Sequence, residues 1–152
     1  MKTLGIRVKP REVIIAIYDS EACVLENVEN IKIPKALPEP ESLKYVRSSI
    51  LDVLRDYDID HASLRVVEGN SKTLSIGRIE IEGVIKEAFA SSTLKSYFCG
   101  RIASLSSRIG IPSTDFKLYV EGDKNYDSVE NWNALTKEQR EAVFSALGAV
   151  NV

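Results

Sequence analysis

The amino-acid sequence predicts an α/β protein in one domain spanning residues 1–152. Its core is a five-stranded mixed sheet, three antiparallel strands and then two parallel ones, flanked by helices. Three observations carry this. Short β-branched runs open the chain. After residue 42, stretches of 3.6-residue apolar periodicity alternate with short apolar runs, the pattern of parallel strands joined by helical crossovers. And 152 residues, 44% of them hydrophobic, can bury roughly two-thirds of the surface that the unfolded chain exposes.

Thr3 to Val8 and Glu12 to Tyr18 are β-branched runs separated by Lys9-Pro10-Arg11, a hairpin with proline in its turn. Cys23 to Ile33 supplies a third strand through Val24, Val28, Ile31 and Ile33, with a loop expected around Glu29-Asn30. Pro34, Pro38 and Pro40 then end the sheet pattern and predict a stiff linker, since each lacks the N–H of a ladder bond.

Ser42 is the expected N-cap of the next helix, where Leu43, Val46, Ile50, Val53, Leu54 and Tyr57 recur at helical spacing. Ala62 to Val67 predicts a buried strand ending at Glu68-Gly69-Asn70. A helix is expected over Leu74 to Ala90, with Ile81, Val84, Ile85, Ala88 and Phe89 in one stripe. Gly77 and Gly83 weaken it by about 1 kcal/mol each relative to alanine. Leu94 to Cys99 predicts a strand and Gly100 to Ile109 a short helix, closed by Gly110-Ile111-Pro112. Residues 113–135, rich in Asp, Asn and Glu, predict a long surface loop in which Phe116 to Val120 pair locally and Trp132 anchors the loop to the domain. Thr136 caps a last helix over 136–150 carrying Val143, Phe144, Leu147 and Val150.

Composition excludes several classes. The net charge of −2 gives no whole-molecule pull toward nucleic acid or anionic membrane. No run of about 18 apolar residues exists for a membrane span, and Arg7, Lys9, Arg11 and Glu12 interrupt what would be the apolar core of a secretory leader. Cys23 and Cys99 form no Cys-x-x-Cys pair and lie outside ligand spacing of His61, the sole histidine, which points to a reduced cytoplasmic setting without a Cys/His zinc site.

Other patterns are weaker. Charge is uneven along the chain: residues 61–110 sum to +3, between stretches of −2 and −3. A modest basic face would hold a nucleic-acid backbone with strong salt dependence; a solvated surface explains the same count. Glu68 to Thr73 precedes a helix and contains Gly, Lys and hydroxyls, yet lacks the spacing of a phosphate-binding Walker loop. Asp115, Glu121, Asp123 and Asp127 do not follow the EF-hand order. His61 has no Ser, Cys or carboxylate partner in sequence that suggests a triad.

The order of elements is that of the ribonuclease H-like fold. In detail, Leu4-Gly5-Ile6 resembles the first strand of Holliday-junction resolvases. Ser63-Leu64-Arg65-Val66-Val67-Glu68, followed by a helix entering at Ile76-Gly77-Arg78, resembles their fourth strand and next helix. A second similarity is to a group of small bacterial proteins of the same predicted fold, whose fourth strand carries an Arg and next helix a Glu; Arg65 and Glu82 occupy those places. The resemblance spans about residues 3–110.

The resemblance implies a nuclease site in which carboxylates from the first strand, the fourth strand and the last helix hold two divalent ions, Mg²⁺ or Mn²⁺. Glu68 stands at the fourth-strand place, and Glu138 or Glu141 is offered by the last helix. The first-strand place is Arg7, whose guanidinium cannot ligate a metal. Arg7 is therefore expected to supply the missing positive charge and to pair with Glu68, unless it simply lies in water at the strand end.

The favoured expectation is a degenerate, non-catalytic ribonuclease H-like domain acting as an interaction or nucleic-acid-associated module in a prokaryotic cytoplasm. Arg65, Lys72 and Arg78 are its candidate nucleic-acid contacts, and nucleic acid or another protein its partner, with no membrane. The resemblance, and the frequency of two-fold oligomers, add the expectation of a homodimer. The alternative is a metal-dependent nuclease that gathers Glu68, Glu82 and a carboxylate of the last helix.

Overall fold

The computed structural model describes residues 1–70 and 74–152. Among them five strands make one mixed sheet: β1 (Lys2–Lys9), β2 (Glu12–Asp19), β3 (Val24–Lys32), β4 (His61–Arg65) and β5 (Ser96–Gly100). They lie in the order β3-β2-β1-β4-β5. The first three pair antiparallel, and β4 and β5 add in parallel. The helices are α1 (Glu39–Asp56), α2 (Ile76–Ala90), α3 (Ile102–Ile109), α4 (Ser113–Glu121) and α5 (Lys137–Gly148), with single 3₁₀ turns at Trp132–Ala134 and Ala149–Asn151.

The alternation of side chains along a strand divides the core between the two sheet faces. On one face Leu4, Ile6, Val8, Val13, Ile15, Ile17, Ala62 and Leu64 pack against Val46 and Ile50 of α1 and Ile81, Ile85 and Phe89 of α2. On the other, Ile14 and Ala16 meet Leu105 of α3, Phe116 of α4 and Val143, Phe144 and Ala146 of α5. Helix α5 is buried on nearly every side, so its apolar and polar residues alike must find partners inside. Thr3 Oγ1 donates to the Ala146 carbonyl at 2.8 Å, and Ser145 Oγ donates to the Ser63 carbonyl at 2.9 Å. Arg140 donates to the carbonyls of Trp132, Val120 and Asn133.

Gly5 lets α5 lie this close. A Cβ placed there would sit 2.1 Å from the Ala142 oxygen and the Ala146 nitrogen, both backbone atoms.

The expected elements are corrected in four respects. Strand β3 runs unbroken through Glu29-Asn30, its irregularity absorbed by a register shift opposite Ile17 and Tyr18. Helix α1 begins at Glu39 and not after Ser42, with Pro38 at its N-cap and Pro40 in its first turn, where a missing N–H leaves no bond unmade. The proline stretch is thus partly helix. Strand β5 and helix α2 start two residues later than predicted, α2 with Ser75 accepting from the Arg78 N–H.

The fourth correction is the largest. The surface loop expected over 113–135 contains α4, which buries Phe116 and Val120 and ends at left-handed Gly122. Its charged outer residues masked a helical stripe only two buried positions deep. Within that stretch Trp132 is buried, its Nε1 donates to the Tyr119 carbonyl at 2.9 Å and its ring lies 4.8 Å from that of Phe144 in α5, so the tryptophan does anchor the segment. The cap of α5 is as the sequence predicts, with Thr136 and Gln139 forming a reciprocal capping box.

Asp60 fastens the entry of the parallel strands. Its N–H donates to the Lys2 carbonyl, its carbonyl accepts from the Lys95 N–H, and its carboxylate meets Lys95 Nζ at 2.5 Å. The Lys95 bond holds the Asp60 carboxyl below its usual range against a smaller desolvation effect. A carboxyl depressed on folding contributes stability above its unfolded value, near 3.9, and loses it as pH falls through the folded value. Asp60→Asn is therefore expected to melt below the parent protein at pH 7. Thermal scans should show the gap closing as pH drops below about 4; a gap that persists there would assign the effect to something other than this charge.

Candidate functional site

The alternation that sends Leu4, Ile6 and Val8 to one face sends Thr3, Gly5 and Arg7 toward α5. Parallel pairing sets Arg7 beside Arg65 across β1 and β4, so two guanidiniums stand side by side at the carboxyl ends of neighbouring strands. Alone, that arrangement would repel. Helix α5 delivers Glu141 between them: its Oε2 lies 2.7 Å from Arg7 Nε and 3.4 Å from Arg65 Nε. All three side chains are withdrawn from water, at 13%, 5% and 5% exposure for Arg7, Arg65 and Glu141.

Arg65 ties the pair to its surroundings. Its Nη2 lies 3.4 Å from Glu68 Oε1, and its Nη1 donates to the Val66 carbonyl. Glu68 Oε1 accepts from the Ile102 N–H at 2.8 Å, an acid at the N-terminus of α3. Beside this group, Glu82 of α2 is buried, with Oε2 bonded to Arg78 Nε at 3.1 Å and Oε1 accepting from the Val67 N–H at 3.3 Å. The site is thus a set of three arginines and three glutamates from β1, β4, α2, α5 and the segment after β4, with Arg65, Glu82 and Glu141 buried and Arg7, Arg78 and Glu68 partly so.

Desolvation pushes the Glu141 carboxyl above its usual range; Arg65 and Lys137 pull it back and Glu138 pushes it further. The burial cost outweighing the nearby arginine charges is the ordinary balance for an interior ion pair. Among the described residues Arg7 Nε and Nη1, Arg65 Nε and Arg78 Nη2 are buried without an aligned hydrogen-bond acceptor, so the contacts to Glu141 are contacts of charge more than of directed bonds.

No protein-family model matches this chain, and no curated protein does. Solved structures match it over nearly its whole length. Thermus thermophilus RuvC in complex with a Holliday junction substrate aligns with a TM-score of 0.71 at 14% identity, covering 97% of this chain and 92% of that one. The yeast mitochondrial Holliday junction resolvase Ydc2 aligns with a TM-score of 0.58 at 12% identity, over 98% and 77%. The Fowlpox virus resolvase, solved with Holliday junction DNA, gives 0.53 at 16% identity, over 97% and 95%.

This chain has the ribonuclease H-like fold of the Holliday-junction resolvases.

On that resolvase-like frame the expected ligands can be located one by one. Arg7 does not pair with Glu68, as the sequence led us to expect; it pairs with Glu141. The reason is geometric: Arg7 points at α5, whereas Glu68, three residues beyond β4, turns toward the first N–H of α3. Glu82 is bound to its own helix and to Val67, and Glu138 is half-buried one turn before Glu141. Arg65 and Arg78, expected as nucleic-acid contacts, are instead buried or nearly so and engaged with carboxylates. Lys72 lies outside the described residues.

Among the described residues no three His, Cys, Asp or Glu gather in reach of one ion. A divalent pair does not fit this site: the oxygen that would ligate it faces two guanidiniums. The sequence pointed to Arg7 and missed the role of Arg65 as a second counter-charge. The available signal was register, since Ile6 opposite Leu64 puts Arg7 opposite Arg65. His61 contacts the Ala149 carbonyl through Nδ1, a packing role.

Proposed function

We propose that this chain is a ribonuclease H-like module that has lost cleavage and serves as an interaction or nucleic-acid-associated domain. One observation carries the reading: Glu141, the buried acid that the last helix projects toward β1 and β4, is clamped by Arg7 and Arg65. Arginine stays protonated at any pH at which the protein folds, so neither side chain can become a ligand or a base. The positive charge that a nuclease of this fold would import as metal is built into the chain.

The solved neighbours with junction DNA favour nucleic acid as the partner class. The expected homodimer is supported by an apolar surface at the start of α2, where Leu74, Ile76 and Ile79 are exposed. Among the described residues no helix is long and apolar enough to cross a membrane.

The deciding experiment is a nuclease assay with Mn²⁺ on branched, single-stranded and hybrid substrates. No cleavage is expected from the parent protein. Cleavage that Glu141→Gln or Glu68→Gln abolishes would overturn the reading in favour of a metal-dependent nuclease.

A further inference from the structure

At the end of the sheet that bears the β1–β2 turn, three cations stand without a carboxylate partner among the described residues: Arg11, Lys32 and Lys35. Each is fixed by backbone. Arg11 follows Pro10 in the hairpin turn, and its carbonyl accepts from the Ile33 N–H at 3.0 Å, which laces the end of β3 to the hairpin. Lys32 is the last residue of β3, opposite Glu12 in the register. Lys35 follows Pro34 in a turn closed by the Leu37 N–H on the Pro34 carbonyl at 3.3 Å. Prolines at both turns restrict the backbone that presents the charges.

These cations surround a cleft of about 420 Å³ lined also by Pro10 and Ile33. That volume is in the range of small-molecule sites. Lys9 shares the rim, and Glu12 neutralises it at 3.2 Å. The cleft therefore carries a local charge of +3 on a chain whose total is −2. An open apolar floor ringed by unpaired positive charge is complementary to a ligand with several negative charges on one side and a hydrophobic face on the other. A terminal phosphate, or successive phosphates of a strand, suits three neighbouring cations better than one carboxylate, with Arg11 offering a fork and the lysines point charges.

We propose that this cleft binds a phosphate group carried on an apolar or planar body, the chemistry shared by a free nucleotide and the backbone of a nucleic-acid strand. The proposal rests on the reading of the chain as a nucleic-acid-associated module and gives that module its contact. That contact is the hairpin tip and the end of β3, which sequence pointed to only as a turn and a strand end. Arg65 and Arg78, spent on buried glutamates, do not supply it.

The test titrates the full chain at low salt with adenosine 5′-monophosphate and, separately, with a fluorescent single-stranded oligonucleotide. The triple variant Arg11→Gln, Lys32→Gln, Lys35→Gln is compared. Its affinity should fall at least about tenfold, and for the oligonucleotide the slope of log affinity against log salt should become shallower by about 2, three lost contacts on a single strand. Its melting temperature should hold, because all three side chains are exposed. Binding of the monophosphate alone identifies a free ester as the ligand, and binding of the oligonucleotide alone identifies the strand; either supports the site. No binding of either probe, or binding that the triple variant retains in full, overturns it. Cleavage of the oligonucleotide would overturn the non-cleaving reading and leave this site standing, so the two failures are separable.

Discussion

Glu141→Ala is expected to cost about 3–5 kcal/mol of stability, because it strands two buried guanidiniums without their counter-charge. For a chain of this length that corresponds to a fall in melting temperature on the order of 10 °C. The argument is one of asymmetry. The raised carboxyl of Glu141 shows that burial is costly for the ionised group itself, so the assembled ion pair need not be a net stabiliser. Removing one member still leaves the rest of the cost in place with nothing to offset it.

Arg7→Met provides the contrast. It keeps much of the side-chain volume and leaves Arg65 to face Glu141, while removing two buried nitrogens that have no aligned acceptor. Its loss should be well under half that of Glu141→Ala. Thermal and urea denaturation of the two variants check both numbers. If Glu141→Ala lies within about 1 kcal/mol of the parent, the usual range of a surface ion pair, the three side chains are more hydrated than the structure has them.

Gly5→Ala is the second large effect, expected at about 3 kcal/mol or more, the upper end of overpacking substitutions. The new methyl would meet the Ala142 oxygen and Ala146 nitrogen at 2.1 Å and the Ala146 Cα at 2.8 Å. No rotamer can relieve this, since every atom it meets belongs to the backbone of α5. The helix would have to lift, and with it the Thr3 bond to the Ala146 carbonyl, the Ser63–Ser145 contact and the Glu141 clamp. Near-ultraviolet circular dichroism of the packed aromatic group around Phe144 reports that movement. An unchanged spectrum and melting temperature would mean that α5 does not rest on β1 as closely as described.

These two substitutions also mark where sequence stops being informative. Gly5 is legible as a resolvase-like feature of the first strand, but only the packed helix explains why no side chain is possible there. Helix α4 escaped notice because it buries just Phe116 and Val120 beneath a polar surface, a signal weaker than the charge pattern around it. In contrast, β1, β2 and α1 follow from periodicity, and α5 from periodicity and its cap, since each presents an apolar stripe to one face of the sheet.

The site divides in the same way. Local sequence carries Arg7 itself, a cation near the end of the first strand, a fact about one residue that already sets the sign of charge at that place. The partner is a long-range matter. Glu68 is close to β4 in sequence and Glu141 is 134 positions from Arg7, yet the helix packed over the sheet brings Glu141 to Arg7 and the turn after β4 carries Glu68 to α3. Side-chain type and period are written residue by residue, so the chain alone determined the order of the strands and of every helix but α4, and the positive charge at Arg7. Which carboxylate meets that charge, and which cations are left free at the hairpin tip, depends on how distant elements are laid against one another, and only the tertiary structure decided it.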